Sequence, residues 1–268
     1  MNRVSTCALA ALAVVSAATL TNAALITTRT SSGTAATLDG VLAANEYGPG
    51  NANSYTGGGG GFGGTLGSGT LYMNSDATNL YVGMQLGNAL NDNVVLYFNT
   101  SSTGGFTSST QMDDSSDPGR ARSSDPMSAG NVNFPISVQY SLVMGGFGAV
   151  LFQLSPNGTP HVFKEFSGQF TGNTPNFREY ALSLADLGGA LGSRNYIDFF
   201  AIYTSDSGFM SNESIPPESP LNGGDNAGFD NNGRDVNLAD WDRFQVPAPA
   251  GLALLGLGGM VAARRRRV

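Results

Sequence analysis

The sequence predicts an all-β protein whose body is an antiparallel, jelly-roll-like β-sandwich of about nine strands. Many short segments alternate apolar and polar residues, which is the period of two expected for half-buried strands. The intervals between them are rich in Gly, Asn, Ser and Pro and show no sustained helical stripe. A single helical turn in SLADLGG (183–189) is the one exception that we expect.

The predicted strands follow one another between residues 69 and 246. Eight alternate clearly: GTLYMNS (69–75), NLYVGMQL (79–86), DNVVLYFNT (92–100), ISVQYSLVM (136–144), AVLFQLS (149–155), HVFKEFSGQF (161–170), FREYALSL (177–184) and YIDFFAIYTS (196–205). WDRFQV (241–246) predicts a weaker closing strand. Because no helices separate these strands, two antiparallel sheets packed face to face are favoured over a parallel sheet.

Three connecting segments stand out by composition. TGGGGGFGG (56–64) predicts a flexible loop, and it lacks the lysine and the following helix that a phosphate-binding loop needs. Residues 109–126 and 211–235 are long, acidic and rich in serine or asparagine. Long loops in a compact domain are usually functional or disordered, so these two are where we first expect specific binding.

The body of the chain is strongly acidic. Residues 24–245 contain 20 Asp and Glu against 8 Lys and Arg, a difference of 12 negative charges. Such a surface repels the phosphates of nucleic acids and anionic lipids, so nucleic-acid binding is disfavoured. It suits cations or neutral polar ligands such as glycans.

The first 23 residues predict a secretory signal peptide. Arg3 gives the positive start, CALAALAVVSAATL (7–20) the apolar stretch, and TNA (21–23) a small-residue cleavage site. An uncleaved N-terminal membrane helix is the alternative. Cys7 is the only cysteine, so the mature protein has no disulfide, thiol nucleophile or cysteine metal site.

Catalytic groups are scarce in the sequence. His161 is the only histidine, and we expect it on the surface at the start of a strand. No G-x-S-x-G nucleophile elbow accompanies it, and one histidine cannot build a histidine zinc site. A carboxylate pair for glycoside hydrolysis is the enzymatic alternative, although no motif singles out two of Glu165, Glu179, Glu213 and Glu218. We therefore expect a protein that is not an enzyme.

Calcium is the cofactor that the acidic loops would suit, because it prefers carboxylate and amide oxygens on a turn. The candidate ligands fall into two clusters: Asp113, Asp114 and Asp117, then Asp225, Asp230, Asn232 and Asp235. The spacing in FDNNGRDVNLAD does not fit an EF-hand loop, because Phe229 and Arg234 occupy the positions of the first aspartate and the glycine. An irregular calcium site competes with simple solvated acidic loops.

The C-terminus has three parts: VPAP (Val246, Pro247, Ala248 and Pro249), the apolar span AGLALLGLGGMVAA (250–263), and the cluster Arg264, Arg265, Arg266 and Arg267. In order and position it resembles the PEP-CTERM sorting signal of exported bacterial proteins, with Ala248 where the usual signature has glutamate. The resemblance implies an exosortase-type membrane enzyme that recognises and removes the tail. Fourteen residues at about 1.5 Å each reach about 21 Å, short of the roughly 30 Å hydrocarbon core, which favours a transient anchor over a permanent one.

The body also resembles the DOMON-like and family 9 carbohydrate-binding sandwiches. The resemblance is carried by LDGVLAANEYG (38–48), NLYVGMQL, NVVLYFNT and EYALSLADLGG. In carbohydrate-binding members, aromatic rings stack on sugars and loop polar groups bind hydroxyls. Tyr47, Tyr55 and Trp241 are the aromatic candidates, with core packing the more economical role for each.

Together these features predict three regions: a signal peptide (1–23), a β-sandwich (24–245) and a sorting tail (246–268) that forms a short membrane helix. The expected protein is exported, held transiently in the inner membrane by its tail, and then released to or attached at the cell envelope, surface or exterior. Extracellular polysaccharide is the expected partner of a binding or structural module. A secreted carbohydrate-active enzyme and a permanently anchored surface protein are the alternatives.

Overall fold

The computed structural model describes residues 23–60, 62–101, 104–112, 119–172, 175–187, 194–218 and 233–247, and these form an all-β fold with sandwich-like layers. The strands are β1 (Ala24–Thr30), β2 (Ser54–Thr56), β3 (Thr70–Ser75), β4 (Asn79–Gln85), β5 (Asn93–Asn99), β6 (Phe106–Ser108), β7 (Val132–Val138), β8 (Tyr140–Gly145), β9 (Gly148–Gln153), β10 (Val162–Ser167), β11 (Phe177–Ser183), β12 (Tyr196–Thr204), β13 (Met210–Ile215), β14 (Val236–Asn237) and β15 (Asp240–Gln245). Two 3₁₀ helices, Ser109–Gln111 and Gly119–Ser124, lie between β6 and β7.

The strands form three sheets. The largest has the order β1, β15, β12, β5, β8, β9, β10, with β13 paired to the second half of β12. A four-stranded sheet has the order β11, β4, β3, β2, and a three-stranded sheet has the order β14, β7, β6. The pairs β1 with β15 and β14 with β7 are parallel, whereas the other strand pairs described are antiparallel.

The central strands of the large sheet are buried on both faces. On β5, Val94, Leu96 and Phe98 belong to a core shared with the four-stranded sheet. Val95 and Tyr97 belong to a second core shared with the three-stranded sheet. The alternation of side chains along each central strand therefore divides them between two cores, and this explains the nearly continuous apolar run NVVLYF.

The predicted strands recur in the fold, but the described residues form three sheets in place of the expected two, with more than the expected nine strands, and one predicted strand is in fact two. The segment 136–144 contains the end of β7 and the start of β8, which lie in different sheets. The break falls at Gln139, whose backbone N–H donates to the carbonyl of Phe98 and whose side-chain Oε1 accepts from the N–H of Thr100. The segment SLADLGG forms a turn at residues 184–187, and no α-helix occurs among the described residues.

The segment 211–235 was predicted as a loop, and its first part is instead a buried strand. Every residue of β13 is buried, including Glu213. The polar letters MSNESI conceal this strand, because Glu213 and its neighbours satisfy loop N–H groups inside the protein. Residues 219–232 lie outside the described residues.

Gly57, Gly58 and Gly59 of the glycine-rich segment pack closely against neighbouring parts of the fold, contrary to the expected flexible loop. A Cβ on Gly57 would meet the carbonyl oxygen of Leu66 at 1.9 Å, and one on Gly59, whose φ is +99°, would meet that of Asn212 at 1.9 Å. Glu213 then accepts hydrogen bonds from the N–H groups of Thr65 and Leu66, both at 3.0 Å. The glycines allow this close backbone approach, which any side chain would prevent.

The structure contains no helix long and apolar enough to cross a bilayer within its described residues. The predicted signal peptide, except for Ala23, and the sorting tail beyond Pro247 lie outside those residues.

Candidate functional site

A cavity of about 150 Å³ opens at one edge of the sandwich, where the large and four-stranded sheets meet. The segments that line it are β1, β2, β15 and the two prolines that follow β13. Its lining residues are Ile26, Thr27, Arg29, Ser54, Tyr55, Thr56, Pro216, Pro217 and Asp242.

Asp242 is the carboxylate of this cavity. It lies two residues before Phe244 on β15, so both side chains project to the same face, and Phe244 packs in the first core. Asp242 is only 3% exposed, and its Oδ1 atom has no hydrogen-bond partner. A buried carboxylate oxygen without a donor is costly, which makes this atom a natural point for ligand contact.

Arg29 brings the opposite charge to the same cavity. Its Nε is buried and unpartnered, and the structure records no ion pair between Arg29 and Asp242. A bulge in β1 shapes this wall: Leu25 pairs with Trp241 and Thr27 with Asp242, which leaves Ile26 as the extra residue. Bulges of this kind redirect side chains at sheet edges. The cavity thus contains an unpartnered acceptor and an unpartnered donor.

The opposite wall comes from the short strand β2. The ring of Tyr55 packs edge-on against Phe199, with 4.8 Å between ring centroids, and its hydroxyl donates to the carbonyl of Arg243 at 3.4 Å. Ser54 and Thr56 flank Tyr55 and complete this wall. The surface that a ligand would meet is therefore mainly polar, with Ile26 and the prolines as its apolar parts.

Glu218 fixes the proline wall to the start of β15. Its Oε1 accepts from the N–H groups of Ala239 at 2.9 Å and Asp240 at 3.1 Å. The hydroxyl of Ser214 donates to the carbonyl of Pro216 at 2.8 Å and accepts from the N–H of Glu218 at 3.1 Å. These bonds hold the segment 214–218 in place beside the cavity.

Burial governs the ionisation of both carboxyl groups. The pKa of Asp242 is raised to about 7, mainly by burial and also by Asp240, against the lowering effects of the N–H of Thr27 and the charge of Arg29. Burial likewise raises the pKa of Glu218 to about 7, against the two backbone N–H donors. A pKa near 7 means that, at neutral pH, a substantial share of each group carries its proton.

The four glutamates considered for hydrolysis all accept backbone hydrogen bonds. Glu165 accepts from Ser183, and Glu179 accepts from Asp39 and Gly40 and from the hydroxyl of Tyr47. Glu213 and Glu218 do the same for the loops described above. Among the described residues, Asp242 is the single carboxylate that lines the cavity.

His161 is buried, so its predicted surface position is wrong. Its Nδ1 accepts from the N–H of Ser155 at 3.1 Å, which places the ring proton on Nε2. Nε2 lies 2.7 Å from Oδ1 of Asp125, a buried residue that also pairs with Arg122 at 3.3 Å. This polar cluster links the loop before β7 to the start of β10.

The predicted calcium ligands fall mostly outside the described residues, namely Asp113, Asp114, Asp117, Asp225, Asp230 and Asn232. Asp235 is described, and its Oδ1 accepts from the N–H of Asn131 at 3.0 Å. Within the described ranges, no three His, Cys, Asp or Glu side chains form a group that could hold a metal ion.

The three aromatic candidates differ in position. Tyr47 is fully buried and donates to Glu179, so core packing is its role. Tyr55 is also buried but lines the cavity, and Trp241 is half-buried on β15.

Of the sorting residues, Val246 and Pro247 are described, and Ala248, Pro249 and the four arginines are not.

Sequence reasoning did not single out Asp242 or Arg29. Asp242 lay within the predicted strand WDRFQV, where alternation with Phe244 marks an inward-facing acid; this was the available signal. Arg29 lies in ALITTRT, whose half-exposed edge position weakens any alternation.

Comparison of the sequence with protein-family models and with curated proteins gives no match.

Proposed function

We propose that this protein is an exported envelope or matrix component that binds a glycan through the cavity at Asp242 and Arg29. The observation that carries the proposal is the presence of two buried, unpartnered polar atoms, Oδ1 of Asp242 and Nε of Arg29, in residues that line one cavity. Adjacent sugar hydroxyls supply both a donor and an acceptor, so one sugar unit can satisfy both atoms.

Binding is favoured over hydrolysis by the position of the carboxylates. A glycosidase needs two carboxyl groups facing one bond, whereas Asp242 alone lines the described cavity and Glu218 is bound by two backbone N–H groups. The strongly acidic body of the chain further favours a ligand without negative charge.

The complete proposal includes the regions outside the described residues. The protein carries a signal peptide, a jelly-roll-like domain and a short C-terminal membrane helix that an exosortase-type enzyme processes. The support for this part is the order of VPAP, the apolar span and the arginine cluster. Calcium at the acidic segments stays a prediction.

The experiment measures retention of the exported protein on exopolysaccharide from its own source, with and without a calcium chelator. Asp242→Asn and Arg29→Gln are expected to lower retention about tenfold, because each leaves a sugar hydroxyl without its charged partner. Asp186→Asn, a charge removal outside the cavity, serves as the matched control. All variants are first checked for cooperative unfolding.

Unchanged retention of both cavity variants would refute the cavity as the glycan site. Release of reducing sugar from the same material would reverse the ranking of binding over hydrolysis. Loss of retention with the chelator alone would support calcium.

A further inference from the structure

We infer that the sugar unit taken by this cavity is an amino sugar, with its ammonium group on Asp242 and a neighbouring hydroxyl oxygen on Arg29. This inference rests on the proposed glycan binding and names its ligand class. It is carried by the unpartnered Oδ1 of Asp242 and Nε of Arg29 in residues that line one cavity, and the charges around them support it.

Carboxylates dominate these surroundings. Asp240 acts on Asp242 from the same strand, and it also acts on Glu218, which follows β13. Among the described residues, Arg29 of β1 is the cation that opposes this negative charge at Asp242, and Tyr55 of β2 presents a neutral hydroxyl. At Asp242, two carboxyl groups are thus opposed by one guanidinium, and a cationic ligand offsets the remaining negative charge.

An ammonium group also fits the unpartnered atom better than a hydroxyl. Oδ1 of Asp242 is buried and has no donor, and a charge-assisted hydrogen bond is about twice as strong as a neutral one. Nε of Arg29 needs an acceptor, which the ammonium cannot supply. A hydroxyl oxygen on the adjacent ring carbon supplies it, so the amine and hydroxyl of one amino sugar match the pair.

The same charges disfavour the other common classes of sugar. A uronic acid would bring a further negative charge beside Asp240 and Asp242. An N-acetylated sugar keeps an N–H donor but loses the positive charge that balances the carboxylates. The predicted order of affinity is therefore amino sugar, then N-acetylated sugar, then uronic acid.

The experiment uses isothermal titration calorimetry on the exported protein with three tetrasaccharides, of glucosamine, N-acetylglucosamine and galacturonic acid. The glucosamine tetrasaccharide is expected to bind about tenfold more tightly than the N-acetylated one. Asp242→Asn is expected to remove this preference, whereas Asp186→Asn, outside the cavity, is expected to retain it. Arg29→Gln, expected to weaken both ligands and keep their order, is the second cavity variant.

The outcomes separate the inference from the proposed function. Equal affinity for glucosamine and N-acetylglucosamine, or a preference for galacturonic acid, would overturn the amino-sugar assignment and leave glycan binding standing. If none of the three binds and the exopolysaccharide is not retained, both proposals fail.

Discussion

Buried carboxylates organise this protein at the scale of single residues. Glu179 joins residues 39–40 to Tyr47, Glu213 joins β13 to the loop at residues 65–66, and Glu218 joins the proline segment to β15. Each accepts backbone N–H groups that would otherwise be buried without a partner. Asp242 differs from these three because it lines the cavity, where its Oδ1, like Oε1 of Glu213, has no donor among the described residues.

The raised pKa of Asp242 predicts how stability changes with pH. Its pKa is about 7 in the folded chain against a usual value of 3.8, so the folded state holds the proton more firmly than the unfolded state. Its contribution therefore favours folding at low pH and is lost as the pH rises from about 4 to about 7. Asp242→Asn removes this contribution. The free energy of unfolding of the variant should therefore fall less steeply between pH 4 and pH 7 than that of the unmodified protein.

Urea unfolding at intervals from pH 4 to pH 8 measures this slope. Asp186→Asn, which removes one carboxylate outside the cavity, is the matched control. Parallel profiles for Asp242→Asn and the unmodified protein would show that Asp242 is not the titrating group.

At the scale of elements, the glycine-rich segment is a packed part of the fold. Gly59 has a φ of +99° and lies against the backbone of β13, whereas an added Cβ on its neighbour Gly60 would have no atom within 4 Å. We expect Gly59→Ala to lower the free energy of unfolding by about 2–3 kcal/mol through strain and steric overlap. Gly60→Ala should stay within about 0.5 kcal/mol of the unmodified protein, as is usual at open sites.

Chemical denaturation of the two variants tests this difference with one methyl group in each. Equal stabilities would mean that the segment 57–60 is not held against β13. A loss confined to Gly59→Ala would confirm the close approach.

The sequence predicted the central strands because their alternation reports burial directly. Strands β5 and β12 are buried on both faces by two cores, and their aromatic and branched residues mark them clearly. The polar strand β13 was missed because its burial depends on Glu213 binding N–H groups from a loop about 150 residues earlier. The cavity was missed for the same reason, since β1 pairs with β15 from the far end of the chain and β2 belongs to the other sheet.

At the scale of the whole molecule, the predicted processing sites coincide with the ends of folded strands. β1 begins at Ala24, directly after the predicted signal peptide, and β15 ends at Gln245, directly before VPAP. The two strands pair in parallel, with Ala24 opposite Asp240 and Thr30 opposite Gln245. The first residues after the predicted cleavage site therefore belong to the fold and supply one wall of the cavity.

This arrangement predicts that the exported protein starts at Ala24. Cleavage further along would remove β1, and with it Thr27 and Arg29 from the cavity and the hydrogen bond from the N–H of Ala24 to the carbonyl of Ala239. Intact mass spectrometry of protein recovered outside the cell should show loss of residues 1–23 and of the tail near Pro249. Deletion of residues 24–30 should abolish glycan retention and lower stability, whereas Thr28→Ala, at an exposed position of β1, should change neither. A mature chain that begins at or beyond Ser31 and still binds glycan would contradict the role given to β1. An intact arginine terminus would show that the tail is a lasting membrane anchor and not a sorting signal that is removed.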